Sequence, residues 1–391
     1  MRLRSGEGRG PKEAFLIRRQ YLHSFAAAAC IGPFLSYVLA DLGWSPGDIG
    51  YATAVLTASA VLTAPLWGWI DDTRSQGAAR LSLVATAAAA VAVAVAVGSS
   101  SRWMALCGVA LLGAASGSLE PLLTSRALKG TKNGRGLGAV RGLGSIGWIL
   151  GLGAGGLLLT VASQQPALIF VLAGVAALSA PVSPRDGPAP RSRPQQPRPT
   201  AQRPPLRAVL GVLSITFPIP VCTASLVFFT AGWARSDLGA GPLLAVGPLA
   251  LSAALELPAF LAVDRLARRV SSLWLCGAAF PPLALASILL ALFPDTVMVF
   301  SVQPLVAIAF ALWFVGHSRL ISERVPHHRL GSAITMVSTL GRGIAGPIAG
   351  IAGGAIAAAA GYPALFLSMS ILCLFGLLRV ALPALLRRPL P

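Results

Sequence analysis

The chain has 391 residues, of which 55% are apolar and only 11% charged, and its mean hydropathy is +0.74. A water-soluble domain carries about 25% charged residues, so a soluble globular fold is excluded. The net charge of +18 does not mark a nucleic-acid binder, because the cations fill short gaps between apolar runs instead of gathering on one soluble face.

Apolar runs of this length cross the ~30 Å hydrocarbon core of a bilayer as helices. Inside lipid every backbone polar group must be satisfied internally, and the runs are too continuous for the alternating strands of a barrel. The sequence predicts spans at 17–40, 47–70, 78–98, 103–126, 137–160 and 166–183. A second set is predicted at 207–232, 241–263, 271–293, 296–322, 330–359 and 362–386. The expected fold class is an all-α polytopic membrane protein with twelve transmembrane helices in two pseudo-symmetric six-helix bundles.

In chain order, the N-terminal segment carries Arg2, Arg4, Arg9, Lys12, Arg18 and Arg19. Span 1, which contains Cys30, reads as an uncleaved signal-anchor. The first outside loop, LGWSPGDIG, predicts a helix start. Ser45 suits the N-cap, Pro46 the first helical position, and Asp48 the positive end of the helix dipole. Span 4 holds Glu120, an intramembrane carboxylate and so a functional candidate. It reads either as a proton site or as a structural partner of Arg141 at the start of span 5.

Span 5 (GLGSIGWILGLGAGG) and span 11 (LGRGIAGPIAGIAGG) are extreme in small residues, which let helix backbones approach closely in lipid. They occupy equivalent places in the two halves, as an internal repeat would require. Between the halves, residues 184–205 read PRDGPAPRSRPQQPRPTAQRPP, a linker that cannot build a core. The expected domains are therefore an N-terminal bundle at 1–183, a cytoplasmic linker at 184–206 and a C-terminal bundle at 207–391.

In span 8, Glu256 lies eight residues before Asp264, about 12 Å along a helix, and reads as a structural or a transport carboxylate. In span 10, His317 is a candidate proton shuttle or an interfacial residue, with Arg319 beside it. Arg342 in span 11 could face an anionic solute, form a gate contact or snorkel to the interface. Trp148 and Trp313 could line a cavity or pack in the core. Trp44, Trp103 and Trp233 near span ends read as interfacial anchors. GAGPLL and GPIAG are expected to interrupt helices 8 and 11 locally, with Pro347 as the kink.

Of the 31 Lys and Arg, only Arg102 and Arg235 fall in loops placed outside. This asymmetry puts both termini in the cytoplasm and the protein in the plasma (inner) membrane. The five cysteines (Cys30, Cys107, Cys222, Cys276, Cys373) lie in apolar segments without metal-ligand or disulfide spacing. A nucleotide-binding GxxxxGK[ST] is absent, and so are HExxH and nucleophile motifs. The chain is expected to be no enzyme, to need no cofactor or metal, and to hydrolyse no ATP.

The loops after spans 2 and 8 carry a family signature. GWIDDTRSQGAAR places Asp72 four residues after Gly68, followed by Arg74 and Arg80. DRLARR gives Asp264, Arg265, Arg268 and Arg269. Both resemble the major facilitator loop pattern, and the resemblance implies that Gly68, Asp72, Arg74, Asp264, Arg265, Arg268 and Arg269 form a cytoplasmic gate motif. Thr73 and Ala267 depart from that pattern. GPFLSYVLADLGWSPGDIG, AVRGLGSIGWILG, ELPAF and SRLI resemble the nucleoside/proton-symporter and phenylpropionate-permease branch of the superfamily. Span 4 has PLLTSRAL where that branch often carries an Asp, and span 10 has Val306 and Phe314 where it often has His.

The resemblance implies alternating access and proton-coupled symport of a small-molecule substrate by a monomer in the lipid bilayer. Glu120, Arg141, Glu256, Arg342, His317 and Arg319 are then the transport or proton-coupling candidates, and Trp148 and Trp313 the cavity candidates. The alternatives are an uncoupled facilitator of the same fold and a non-transporting membrane sensor or scaffold.

Overall fold

The computed structural model describes residues 11–74, 77–99, 101–117, 119, 123, 137–181, 206–325 and 330–386. All regular structure among them is helical. The first half contains α1 (Pro11–Ala29), α2 (Gly32–Asp41), α3 (Pro46–Arg74), α4 (Gly77–Gly98), α5 (Arg102–Ser116), α6 (Leu137–Val161) and α7 (Leu168–Leu178). The second contains α8 (Leu206–Thr216), α9 (Pro218–Ser236), α10 (Pro242–Leu266), α11 (Ser272–Ala278) and α12 (Phe280–Leu292). It ends with α13 (Thr296–Ser301), α14 (Gln303–Arg324) and α15 (Leu330–Leu386). Nearly all of linker 184–206 lies outside the described residues.

Eight helical segments among the described residues are long and apolar enough to cross a membrane. The pair α8–α9, bent by 52°, makes a further candidate, and α5 and α7 are shorter apolar helices. The 57-residue α15 contains two of the expected spans, because Gly361 at φ 81° and ψ 168° turns the chain within it. The backbone there is left-handed, which glycine accepts without the Cβ clash of other residues.

Prolines explain some of the breaks and not others. Pro218 and Pro220 begin α9 just where span 7 bends, since a proline supplies no N–H to the preceding turn. GAGPLL does not interrupt helix 8: Gly241 is the N-cap and Pro242 opens α10. Nor does Pro347 break helix 11, where helical dihedrals continue and Gly361 alone departs from them. The predicted start of span 2 is as expected. Ser45 Oγ accepts from the Asp48 amide at 3.2 Å and donates to its carboxylate at 2.9 Å.

The chain divides into two compact units. The first comprises residues 1–34 and 55–196. Its main seam sets α6 on α1, and glycines make it possible. A Cβ at Gly147 would strike the Leu22 carbonyl, and one at Gly151 would lie 2.8 Å from Ala29 Cβ. One at Gly155 would lie 2.6 Å from the Phe34 ring. α5 approaches α3 equally closely at Gly113 and Gly117, which meet Leu56 and Ala60.

The end of α5 is held by side chains, because the last carbonyls of a helix lack partners within it. Trp67 Nε1 and Thr63 Oγ1 donate to the Ala114 carbonyl at 2.7 and 3.0 Å. Ser82 Oγ donates to the Ala115 carbonyl at 3.0 Å. α1 is tied to the end of α7 by Gln20 Nε2, which donates to the Pro181 carbonyl at 2.7 Å. A 2.8 Å bond between His23 Nδ1 and Ser179 Oγ adds to it.

The second unit comprises residues 35–54 and 197–391. α14 packs on α11 at Gly316, where a Cβ would lie 2.8 Å from Leu275 Cβ. α15 packs on α12 at Gly376 against Phe280. Trp233, only 1% exposed, sits edge-on to Phe366 with ring centroids 4.9 Å apart and 6.2 Å from Tyr362. It is a core residue, not the interfacial anchor its place near a span end suggests.

Candidate functional site

Within the second unit, α10 and α14 share a cluster of aromatic rings. On α14, Phe310, Trp313, Phe314 and His317 recur at spacings of three and four and therefore share one face. Phe260 of α10 meets that face edge-on, 5.6 Å from Phe314 and 6.2 Å from Phe310. Phe310 and Trp313 are 5.6 Å apart, and Trp313 leans over His317 at 5.0 Å. Edge-to-face packing of this kind adds about 0.5–1.5 kcal/mol per pair beyond area burial.

The indole N–H of Trp313 is buried and has no hydrogen-bond partner among the described residues. Leaving such a donor unsatisfied costs about 1–3 kcal/mol. Phe260, Phe310 and Phe314 are only half-buried, so the cluster presents accessible ring surface beside a donor in need of an acceptor. Glu256, also half-buried, lies one turn before Phe260 on α10, about 6 Å along the helix. This combination can hold a solute with a flat apolar face and a hydrogen-bond acceptor.

His317 is 8% exposed, and its Nδ1 lies 3.3 Å from Thr216 Oγ1, at the bend between α8 and α9. Arg319 turns the other way. Its Nη1 donates to the carbonyls of Ala267 and Val270, the second at 3.3 Å. Its Nη2 lies 3.8 Å from Glu323, and Glu323 accepts from Ser272 Oγ. Arg319 thus braces the turn between α10 and α11, which directly follows Asp264. Asp264, Arg265, Arg268 and Arg269 are all exposed around that turn.

In the first unit, Trp148 is half-buried on α6. Glu120 lies outside the described residues, and so do the side chains of Arg141, Arg342, Asp72 and Arg74 and the surroundings of Gly68. Arg141 belongs to α6, Arg342 to α15, and Gly68, Asp72 and Arg74 to α3.

Trp313 was legible from the sequence as an aromatic inside span 10, and Phe260 only as the last residue of ELPAF, whereas Phe310 belongs to no motif. The 310, 313, 314, 317 periodicity was the available signal for the α14 face. No pattern announces that Phe260 on a different helix meets it.

Residues 16–368 match the model of the MFS_1 like family. The fold agrees with solved transporters. The nucleoside transporter NupG superposes with a TM-score of 0.74 at 14% identity, covering 96% of this chain and 99% of that one. PepTSo, a POT family transporter, gives 0.70 at 12% identity over 96% and 98%. A bacterial homologue of the human lysosomal transporter Spinster gives 0.68 at 15% identity over 99% and 100%. No curated protein matches the sequence. The fold is the major facilitator fold, all-α and polytopic. The chain belongs to the MFS_1 like family and is a membrane transporter of the major facilitator type, not an enzyme.

Proposed function

We propose that this transporter moves a small solute with a planar, acceptor-bearing moiety by alternating access, coupled to protons. In this reading 1–183 and 207–391 act as two bundles joined by 184–206, and both termini face the cytoplasm of the inner membrane. The observation that carries the solute class is the buried, unpartnered Trp313 N–H beside the half-exposed rings of Phe260, Phe310 and Phe314. A bound acceptor would relieve the unsatisfied donor. Glu120 with Arg141, or Glu256 beside the rings, supplies the proton site. Asp72, Arg74, Asp264, Arg265, Arg268 and Arg269 form the cytoplasmic gate, with Arg319 bracing the second copy.

An uncoupled facilitator is the second reading. It is favoured by the small number of carboxylates, 13 Asp and Glu in 391 residues.

Uptake into proteoliposomes separates the two. The panel is uridine, a dipeptide and an aromatic acid, with and without an inward proton gradient. Accumulation abolished by a protonophore and by Glu120→Gln or Glu256→Gln supports the coupled carrier. Equilibration indifferent to the gradient supports the facilitator, and uptake unchanged in Phe314→Ala removes the aromatic cluster from the solute site.

A further inference from the structure

Two cysteines meet where spans 7 and 12 pack together. Cys222 of α9 and Cys373 of α15 are both fully buried, and their sulfurs lie 3.7 Å apart. We propose that this pair is a redox-active dithiol, which a small uncharged peroxide such as hydrogen peroxide converts to a disulfide that staples α9 to α15. Such chemistry involves no transported solute, so it does not depend on the solute reading. Like the Asp41–Arg235 ion pair, which closes at 2.6 Å, the contact joins residues far apart in the chain, here by 151 positions. No cysteine spacing could announce it.

The protons show how the sulfurs face each other. A thiol carries one proton. Cys222 Sγ donates to the Met369 carbonyl at 3.6 Å, so the proton between the sulfurs comes from Cys373. Cys30, by contrast, donates to the Gly151 carbonyl at 3.5 Å, and Cys107 is exposed. A disulfide needs its sulfurs at about 2.05 Å, roughly 1.7 Å closer than they stand. A modest rotation of each side chain supplies that movement, about 0.8 Å per sulfur. Cys222 lies one turn beyond Pro218, where the α8–α9 pair bends by 52°. The link would therefore pin the start of α9 to α15.

The surroundings select the product. Residues 218–234 of α9 and 362–376 of α15 include no charged side chain. Leu226 and Met369, each one turn from its cysteine, are buried. An anion without a partner is costly in such a place, which disfavours a sulfinate or sulfonate and suits a neutral disulfide. A lone buried cysteine has no second thiol to intercept its first oxidised form, and this pair has one. The same surroundings select the reagent. Ile371 and Leu374 flank Cys373 and are 67% and 48% exposed, so this stretch of α15 turns its other face to lipid. A small neutral molecule crosses an apolar layer far more readily than a charged one.

The reaction balances in two steps. One thiol sulfur attacks a peroxide oxygen, the O–O bond breaks, and the thiol becomes a sulfenic acid as water leaves with its proton. The second sulfur then attacks the sulfenic sulfur. The S–S bond forms, the S–O bond breaks, and a second water carries away the second thiol's proton. Two electrons pass from the sulfurs to the peroxide.

The test uses the full chain in liposomes with Cys107→Ser, which removes the exposed thiol, after prior reduction with dithiothreitol. Folded protein is treated with hydrogen peroxide and then unfolded in dodecyl sulfate. Its free thiols are capped with N-ethylmaleimide and its mass is measured. We expect two fewer maleimides than in untreated protein and a proteolytic fragment linking Cys222 to Cys373. The thermal midpoint should rise by about 5 °C. Uncharged dithiothreitol should restore the thiols of the folded protein at least tenfold faster than the charged tris(2-carboxyethyl)phosphine. Cys222→Ser should give neither the fragment nor the shift. Full maleimide labelling after peroxide, oxygen added to either sulfur in place of a link, or a link to Cys30 or Cys276 overturns the dithiol. A linked protein with an unmoved midpoint overturns the staple. Equal reduction by both reagents places the pair in water and overturns the selection of neutral reagents.

Discussion

The glycine stripes of span 5 and span 11 look interchangeable in sequence but pack differently. On α6, Gly147 and Gly151 press on the backbone and small residues of α1, and Gly155 presses on the Phe34 ring of α2. That seam lies within one unit. On α15, Gly341 and Gly353 meet side chains of the helix pair α8–α9, at Leu213 and Phe229, and these are the equivalents of the α6 contacts. Gly350 and Gly354 instead meet α3 around Gly50, mainly at its backbone, with Thr53 Oγ1 also 2.9 Å from a Cβ at Gly350. One stripe therefore does a single job and the other does two. The difference teaches that a small-residue pattern specifies close approach without saying whether the approach is permanent. Permanence is set by what surrounds the seam.

The sharpest way to break the comparison is to put the same side chain into both seams. Gly147→Val forces a branched side chain into the Leu22 backbone. Overpacking of this kind costs about 1–3 kcal/mol or more, and no flexible side chain is available to move aside. We expect loss of folded protein, measured by size-exclusion chromatography and thermal unfolding in detergent. Gly151→Val should behave alike.

The next effect is smaller in stability and larger in conformation. Gly354→Ala adds a single methyl against Gly50 Cα and the Pro46 carbonyl, at 2.8 and 2.9 Å, so it should leave a folded protein whose thermal midpoint falls by only a few degrees. The same variant should increase labelling of Thr53→Cys by a membrane-impermeant thiol reagent, since Thr53 is fully buried beside Gly350. If Gly354→Ala unfolds the protein as fully as Gly147→Val, the two seams are equivalent and the contrast fails.

The sequence carried the spans because hydropathy is a property of composition along the chain, and it carried the Ser45 cap because that bond joins residues three apart. The glycine stripes were visible for the same reason. Their partners were not, since nothing in GIAGPIAG encodes that Gly350 will face Gly50. The Asp41–Arg235 pair joins residues 194 positions apart, and a sequence read alone shows only an unexpected outside cation. Trp233 misled because depth along a span was inferred from a boundary, whereas burial is decided by Tyr362 and Phe366 of a distant helix. Of the site, the α14 face was legible as periodicity. Its completion by Phe260, and the turn away of Arg319 toward the α10–α11 connection, required the fold.

That turn supplies the third test. Arg319 satisfies two carbonyls at the end of α10, a task a lysine point charge performs poorly. Arg319→Ala should destabilise the protein by about 1–3 kcal/mol by unpairing those groups. If Arg319 instead contacts solute, Arg319→Lys should alter solute affinity while leaving the thermal midpoint unmoved. The brace predicts the reverse, a lowered midpoint with solute affinity retained.

The smallest effect on stability carries the most about function. Trp313→Phe removes the unpartnered N–H and keeps an aromatic ring against Phe310 and His317. Removing a donor that has no partner relieves a desolvation penalty, so the solute-free protein should be unchanged or stabilised by up to ~1 kcal/mol. A solute that accepts from that N–H should lose about tenfold in affinity, the size of one hydrogen bond. The two signs oppose each other, and general damage to the core would make both measurements worse. Thermal unfolding of the solute-free protein, set beside uptake competition by the solute panel, reads both. A raised midpoint with weakened competition assigns the N–H to the solute, whereas a lowered midpoint with unchanged competition assigns Trp313 to packing alone.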